Sequence, residues 1–257
     1  MSRRMIGEGD SPLVCAPLVG RTEEALLSEL EALLPESPDA IEWRADFFRD
    51  LADGGAVVDM ARRIKELAGD RLAIFTIRSR REGGQTSSLS EREIIERCSS
   101  VCRESPFEYV DCELAVAPPD IERLRDIAHA NGSRVIASYH DFERTPDEAF
   151  IVGKFLEAER LGLDVAKVAV MPRCMEDVLV LLGATLEGGK RVSIPLITMS
   201  MGGLGALSRM IGGAFGSSLT FAAGREASAP GQLPIGELRS LLEIVRRSRS
   251  LNPSSSP

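Results

Sequence analysis

The chain has 257 residues, 44% of them hydrophobic and 27% charged, a globular composition long enough for one large domain or two small ones. Thirty-one Lys and Arg against 39 Asp and Glu leave a net charge of −8 with both His neutral, so the broad basic face that binds phosphate backbones is missing and no nucleic-acid partner is expected. Met1 to Pro12 holds Arg3 and Arg4 but no apolar h-region, and the longest uncharged runs are broken by Gly and Pro; no signal peptide and no membrane span are expected, and a cytoplasmic location is.

Strand-like and helix-like stretches alternate to the end of the chain. Leu13–Val19 reads as the first strand, followed by a helical stripe of Leu26, Leu27, Leu30, Leu33 and Leu34. Ala40–Asp46 precedes a helix at 55–68, and Leu72–Arg78 precedes one opened by a Ser90–Glu93 capping box and striped by Ile94, Ile95, Cys98, Val101 and Cys102. Tyr109–Leu114 leads to a helix at 119–130 that Asn131-Gly132 stops. Arg134–His140 leads to Thr145-Pro146-Asp147-Glu148, where Thr145 is expected to cap a helix that ends at Gly162. Asp164–Val170 precedes a helix at 175–187 stopped by Gly188-Gly189, Val192–Met199 precedes a weaker one at 204–213, and Leu219–Ala223 precedes one at 234–247.

Eight βα units in about 250 residues match a single-domain α/β fold, the (β/α)8 TIM barrel. An open doubly wound sheet would be expected to place a Gly-rich phosphate turn after its first strand, and Pro17-Leu18-Val19-Gly20-Arg21 is not one. The expected division is an N-terminal extension or barrel-bottom plug at 1–12, a catalytic barrel at 13–248 and a disordered tail at 249–257, with no second enzyme fused behind the barrel. Five cysteines, at positions 15, 98, 102, 112 and 174, include no C-x-x-C and suggest neither a disulfide framework nor a zinc site. Cys98 and Cys102 share a helix face, where free thiols pack as small hydrophobes.

Strands of a parallel barrel are covered on both sides and should be almost wholly apolar, yet several here carry charges on one face. In Ile41-Glu42-Trp43-Arg44-Ala45-Asp46 the period of two sends Ile41, Trp43 and Ala45 toward the helices, and Glu42, Arg44 and Asp46 into the barrel. Arg78 shares a face with Thr76, and Asp111 and Glu113 alternate with Val110, Cys112 and Leu114. Pairing for structure alone explains such a set poorly, because buried ion pairs stabilise less than apolar packing, whereas the C-terminal mouth of a barrel is where chemistry is done.

Lys167 sits in Asp164–Val170, an otherwise apolar run. Burial there disfavours its ammonium form, lowering its pKa from about 10.4 toward a neutral amine able to attack a carbonyl; the alternative is a salt bridge to Glu113 or Glu42. His140 ends its strand at the mouth and can take and return a proton near neutral pH. His129, near a helix C-terminus, reads as structural. Arg209 is the one charged residue between Val192 and Gly224, in what reads as a loop, and suits a carboxylate or phosphate. Met199 and Met201 read as apolar walls.

These residues in this order resemble the type I 3-dehydroquinate dehydratase family. The resemblance rests on Glu42-Trp43-Arg44-Ala45-Asp46, Phe75-Thr76-Ile77-Arg78 with Glu82-Gly83-Gly84, Ser138-Tyr139-His140-Asp141-Phe142, Ala166-Lys167-Val168-Ala169-Val170-Met171-Pro172, Thr198-Met199-Ser200-Met201 and Ser228-Ala229-Pro230-Gly231-Gln232. It spans roughly residues 6 to 246. It implies that Lys167 forms an imine with the substrate ketone, that His140 moves the proton with Glu82 orienting it, and that Arg209 clamps the substrate carboxylate. Glu42, Arg44, Arg78, Ser228 and Gln232 would hold the hydroxyls, with the loop around 228–232 closing over them. The implied reaction is dehydration of 3-dehydroquinate to 3-dehydroshikimate in the shikimate pathway, leading to aromatic amino acids. No metal or organic cofactor is implied, and a homodimer is. Two departures from the family pattern are expected to matter: Pro17 stands where some members carry a Ser, and Gly202-Gly203-Leu204-Gly205 is expected to loosen the loop that holds Arg209. The rival readings are a class I Schiff-base aldolase on the same fold, which does not require the Glu82–His140 pairing, and a catalytically dead metabolite-binding regulator, which has no use for a buried amine.

Overall fold

The computed structural model describes residues 4–224 and 231–250. Its strands are β1 (Leu13–Leu18), β2 (Ala40–Arg44), β3 (Leu72–Thr76), β4 (Tyr109–Glu113), β5 (Arg134–Asp141), β6 (Val165–Val170), β7 (Leu196–Ser200) and β8 (Leu219–Phe221). The helices that follow them are α1 (Glu23–Leu33), α2 (Gly54–Ala68), α3 (Glu91–Glu104), α4 (Pro118–Ala130), α5 (Glu148–Arg160), α6 (Met175–Arg191), α7 (Gly202–Ile211) and α8 (Ile235–Ser250). All strand pairs are parallel in the order β7-β6-β5-β4-β3-β2-β1-β8. The run entering β8 brings the ends together: Ser218 N donates to Leu196 O at 2.7 Å and Thr198 N to Ser217 Oγ at 3.0 Å. This is the eight-stranded barrel wrapped by helices that the alternating pattern implies.

Strand parity divides the core in two. Val14, Ile41, Trp43, Phe75, Val110, Ala137, Val168 and their neighbours face outward into the layer of helices. Leu13, Cys15, Ala40, Leu72, Ile74, Tyr109, Ile136, Val165, Ile197 and Leu219 face inward, together with Ile6 from the segment before β1. Ile6 N donates to Tyr109 Oη at 3.1 Å, so that segment lies against the N-terminal end of the barrel.

Local signals hold in most places. The Ser90 capping box forms in both directions, with Ser90 N donating to Glu93 Oε2 at 2.8 Å and Glu93 N to Ser90 Oγ. Several boundaries differ from the expected ones, among them the start of β7, which falls at Leu196 and not Val192 because Val192 caps α6. The cap of α5 is Asp147, which accepts from Phe150 N at 2.8 Å, not Thr145, whose hydroxyl instead donates to Met171 O. Helix α6 runs through Gly188-Gly189 to Arg191; a Cβ on Gly188 would fall 2.5 Å from the Phe155 ring, so glycine is required there by close packing of α5 and α6 rather than by a turn. Helix α8 continues to Ser250, two residues past the expected boundary at 248, and the rest of the segment read as a tail lies outside the described residues.

Candidate active site

On β2 to β6, a step of two residues toward the C-terminal end turns the barrel interior from apolar to polar. Ala40 gives way to Glu42, Ile74 to Thr76, Tyr109 to Asp111, Ile136 to Ser138 and Val165 to Lys167. The parallel register sets these groups side by side, with Glu42 beside Ile74 and Ser138 beside both Glu113 and Lys167.

Lys167 is 4% exposed. Its Nζ pairs with Glu42 Oε1 at 3.0 Å and Asp111 Oδ2 at 3.3 Å, and stands 4.8 Å from the centre of the Phe221 ring. The amine is therefore both buried and ion-paired. Of the two partners expected for a salt bridge, Glu42 is present, while Glu113 has turned away to Arg78 and Arg81. Thr76 Oγ1 donates to Glu42 Oε1 at 3.0 Å and Ser138 Oγ to Asp111 Oδ1 at 2.6 Å, which fixes both carboxylates on the lysine.

Arg78 ties the cluster together. Its guanidinium reaches Asp111 at 2.8 Å, Glu113 at 3.1 Å and Glu82 at 3.6 Å, and Nη1 donates to Ser138 Oγ at 2.8 Å. Burial alone would disfavour its charge, but these carboxylates outweigh burial and raise its pKa above the usual arginine range. Asp111 shows the converse: burial pushes its carboxyl up, yet Arg78, Lys167 and the Ser138 hydrogen bond hold it below the ordinary value. Arg44 stands beside the cluster, gripped bidentately by Asp46 at 2.8 and 2.9 Å. Asp46 also accepts from the backbone of Arg78 and Gln85, so one buried carboxylate fixes Arg44 and the loop after β3.

His140 and Glu82 form the second unit. His140 Nδ1 lies 2.9 Å from Glu82 Oε2, which also accepts from His140 N at 3.1 Å. Burial, then the neighbouring Glu113, pushes Glu82 up to about 8, with Arg78 opposing. Burial, then Arg78, Lys167 and Arg44, pushes His140 well below its ordinary 6.5. The two groups thus hold one proton between them. Gly83, next to Glu82, takes a left-handed φ of 81°, and a Cβ there would lie 2.3 Å from the Phe142 ring, which stacks on His140 at 6.4 Å. The Glu-Gly-Gly sequence lets the ring close over the pair.

Arg209 lies in the last turn of α7, 2% exposed, and not in a loop. The glycines expected to loosen this segment tighten it instead. A Cβ on Gly205 would fall 2.3 Å from the Ser200 backbone, and Ser208 Oγ accepts from Ser200 N at 2.8 Å, so α7 presses onto the end of β7. Arg209 Nη1 approaches Met199 Sδ at 3.6 Å; among the described residues no carboxylate pairs with this arginine and its Nε has no partner. Burial alone lowers its pKa to about 10. A buried guanidinium without a counter-charge, aimed into a cavity, is a site for an anion.

These groups line one cavity, open at the barrel mouth: Glu42, Arg44, Arg78, Glu82, His140, Lys167, Arg209 and Gln232, with apolar walls that include Phe142, Ala169, Met199, Met201 and Phe221. Of the expected site residues only Ser228 is not among them, since it lies outside the described residues. Pro17 occupies an inward position of β1 opposite Glu42. No role was expected for Thr76, Ser138, Phe142 or Phe221, and Asp111 was expected only as one of the charges at the barrel mouth; inward parity with Arg78 and His140 was the available signal for Thr76 and Ser138, and the motif around His140 for Phe142. Among the described residues no group of His, Cys, Asp and Glu is arranged to hold a metal ion.

Residues 14–249 match the model of the family described as type I 3-dehydroquinase. The chain is 46% identical to the 3-dehydroquinate dehydratase of Aromatoleum aromaticum over 95% of its own length and 94% of the relative's. Among solved structures it superposes with a TM-score of 0.91 on 3-dehydroquinate dehydratase from Geobacillus kaustophilus, at 44% identity and 93% coverage of each chain. With the type I 3-dehydroquinate dehydratase of Clostridium difficile, solved with covalent modified comenic acid, the TM-score is 0.90 at 37% identity and 95% coverage of each chain.

Proposed function

The chain belongs to the type I 3-dehydroquinase family, whose activity is that of a 3-dehydroquinate dehydratase, and from that premise we propose that it dehydrates 3-dehydroquinate to 3-dehydroshikimate through an imine on Lys167. The observation that carries the reading is the buried amine of Lys167 sharing one cavity with the His140–Glu82 pair and the unpaired Arg209. The Clostridium difficile relative, solved with covalent modified comenic acid, supports covalent chemistry in such a site.

Lys167 Nζ gives a proton to the neighbouring Glu42 and attacks the ketone carbon; loss of water leaves an iminium. The iminium draws electrons from the adjacent carbon, whose proton passes to His140 Nε2 while Glu82 holds Nδ1. The enamine then expels the β-hydroxyl, which leaves as water with the proton from His140, and hydrolysis of the conjugated imine frees the enone and the lysine. Arg209 binds the substrate carboxylate, while Glu42, Arg44, Arg78, Ser228 and Gln232 hold its hydroxyls. In this reading no metal or organic cofactor takes part, because the iminium is the electron sink. The protein acts in the cytoplasm as a homodimer in the shikimate pathway, with residues 13–250 as the catalytic barrel and 1–12 as its N-terminal extension.

Borohydride added with substrate or product should leave a covalent adduct on Lys167, read by peptide mass; an adduct elsewhere, or none, refutes the imine. A rise in conjugated-enone absorbance from 3-dehydroquinate separates this reading from an aldolase, for which the paired Glu82 and His140 have no required part, and from a binding-only protein.

A further inference from the structure

Glu113 ends β4 with its carboxylate buried, yet it does not line the cavity and takes no step in the reaction above. Its contacts are nevertheless complete. Oε1 accepts from Ser79 N at 2.8 Å and Arg78 Nη1 at 3.1 Å, and Oε2 from Ser79 Oγ at 2.7 Å and Arg81 Nη2 at 3.4 Å. Each oxygen has two lone pairs and takes two donors, an arrangement that suits a carboxylate and leaves no place for a proton. The Arg81 side chain is 56% exposed and adds little, so Ser79 and Arg78 do the holding.

What is held is the turn that carries Glu82. Arg80–Glu82 is a single 3-10 turn capped by Ser79, whose Oγ accepts from Glu82 N at 3.3 Å while donating to Glu113. From β4 a chain of contacts therefore runs through Ser79 to the backbone of Glu82, and from the Glu82 carboxylate to the ring of His140 on β5. So short a turn has few bonds of its own, and a shift of about 1 Å at Glu82 is enough to misplace His140 for proton transfer.

Charge acts through the same contacts. Arg78 Nη1 is shared between Glu113 at 3.1 Å and Glu82 at 3.6 Å. Two buried cations, Arg78 and Lys167, serve four buried carboxylates, Glu42, Asp111, Glu113 and Glu82, while Arg44 is taken up by Asp46. With carboxylates in excess one of them favours its neutral form, and Glu113, whose lone pairs are filled, leaves that place to Glu82. Tyr139 on β5 also faces Glu82 but is uncharged near neutral pH, because burial holds it above its ordinary range.

We propose that Glu113 is a positioning residue for the proton transfer: it fastens the Ser79–Glu82 turn so that Glu82 stays on His140 Nδ1, and its fixed negative charge keeps a proton on that pair at neutral pH. This role rests on the reading of His140 as the proton carrier and not on the imine at Lys167.

The test is Glu113→Gln, read by nitrogen-15 NMR of His140 against pH and by kcat and KM. His129→Asn in both backgrounds leaves one imidazole to observe, since the chain has two histidines. The midpoint of the pair, near 8 in wild type, is expected about one unit lower in the variant, a tenfold loss of proton affinity on removing one like charge. The kcat should fall up to about 100-fold with KM unchanged, because Glu113 stands outside the cavity. Borohydride trapping at Lys167 should persist, since its partners are Glu42 and Asp111, and it reports that the variant is folded. Glu113→Asp should lower kcat but keep the midpoint near 8, because the charge stays while the reach to Ser79 is lost. If the Gln variant does not fold, Ser79→Ala decides: a lower kcat with KM and midpoint unmoved supports the role, and a wild-type kcat overturns it. A wild type with no transition near 8, an unmoved midpoint in Glu113→Gln, or a wild-type kcat in that variant each overturns it too. A lowered midpoint together with an adduct on a different lysine would refute the imine and leave the role of Glu113 standing.

Discussion

The lower and upper halves of the barrel interior are built by the same five strands, β2 to β6, two residues apart, and they are opposite in character. In the lower half Ala40, Ile74, Tyr109, Ile136 and Val165 pack without charge, closed from beneath by Ile6. In the upper half Lys167 and Arg78 are threaded among Glu42, Asp111 and Glu113 at 2.8–3.3 Å. Apolar side chains could fill the upper positions as they fill the lower ones and would be expected to stabilise the fold at least as well. The lower half therefore carries stability, and the upper half holds groups that stability alone does not call for.

The sharpest way to break this contrast is Lys167→Met, which gives an upper position the character of a lower one. Turnover should fall on the order of 10^5-fold or more, the scale of losing a covalent nucleophile. Stability should fall by about 3 kcal/mol, because Glu42 loses its cation and keeps only the Thr76 hydroxyl within the cluster. Adding Glu42→Gln should recover much of that loss in urea unfolding without any activity. A single variant that still turns over at a tenth of the wild-type rate would remove Lys167 from the chemistry.

His140→Ala comes next, with turnover lower by about 10^2- to 10^4-fold, the range for loss of a positioned acid–base group. The imine on Lys167 should still form and still be trapped by borohydride. If trapping disappears with the ring, His140 acts before the imine and not after it. Leu72→Ala is the opposite experiment, in the lower half. It should cost about 3 kcal/mol of stability through the cavity it leaves, with kcat and KM unchanged. A fall in kcat at full folding would mean that the two halves are not separable in this way.

The contrast is partly legible in the sequence. A period of two separates Glu42, Arg44 and Asp46 from Ile41, Trp43 and Ala45, and Lys167 stands out because the rest of its strand after Asp164 is apolar. Pairing across the barrel was not legible. Lys167 meets Asp111 although the ladder sets it beside Ser138 and Ser138 beside Glu113; Glu113 is drawn away by Arg78 and Ser79, which no local pattern states. Arg209 looked like a loop residue because Gly202, Gly203 and Gly205 precede it, yet Gly205 lets α7 press onto β7 and carry the arginine inward. The same confusion of packing glycines with stop signals placed the end of α6 too early.

The smallest expected effect concerns a proton. In the lower half Cys15 and Tyr109 are both pushed up by burial, away from neutral pH, so that half adds nothing to the pH dependence of stability near neutrality. In the upper half Glu82 rises from 4.5 to about 8 and His140 falls well below 6.5. Just below pH 6.5 the unfolded chain holds one proton on this pair, on the imidazole, and the folded chain also holds one, on the carboxyl or shared; there the two shifts cancel and stability from the pair is flat. Above 6.5 the unfolded chain has released its proton while the folded pair keeps one until about 8, so unfolding releases a proton and stability falls as pH rises through that window. The fall amounts to about 2 kcal/mol, from 1.36 kcal/mol for each pH unit. This result does not depend on which of the two side chains owns the proton. Glu82→Gln should abolish the decline, since a neutral amide beside a neutral imidazole releases nothing, and urea unfolding at pH 6.5 and 8.5 measures it. Wild type and variant losing stability in parallel across that interval would show that the pair does not retain a proton, and that the pH sensitivity of this barrel lies outside its upper half.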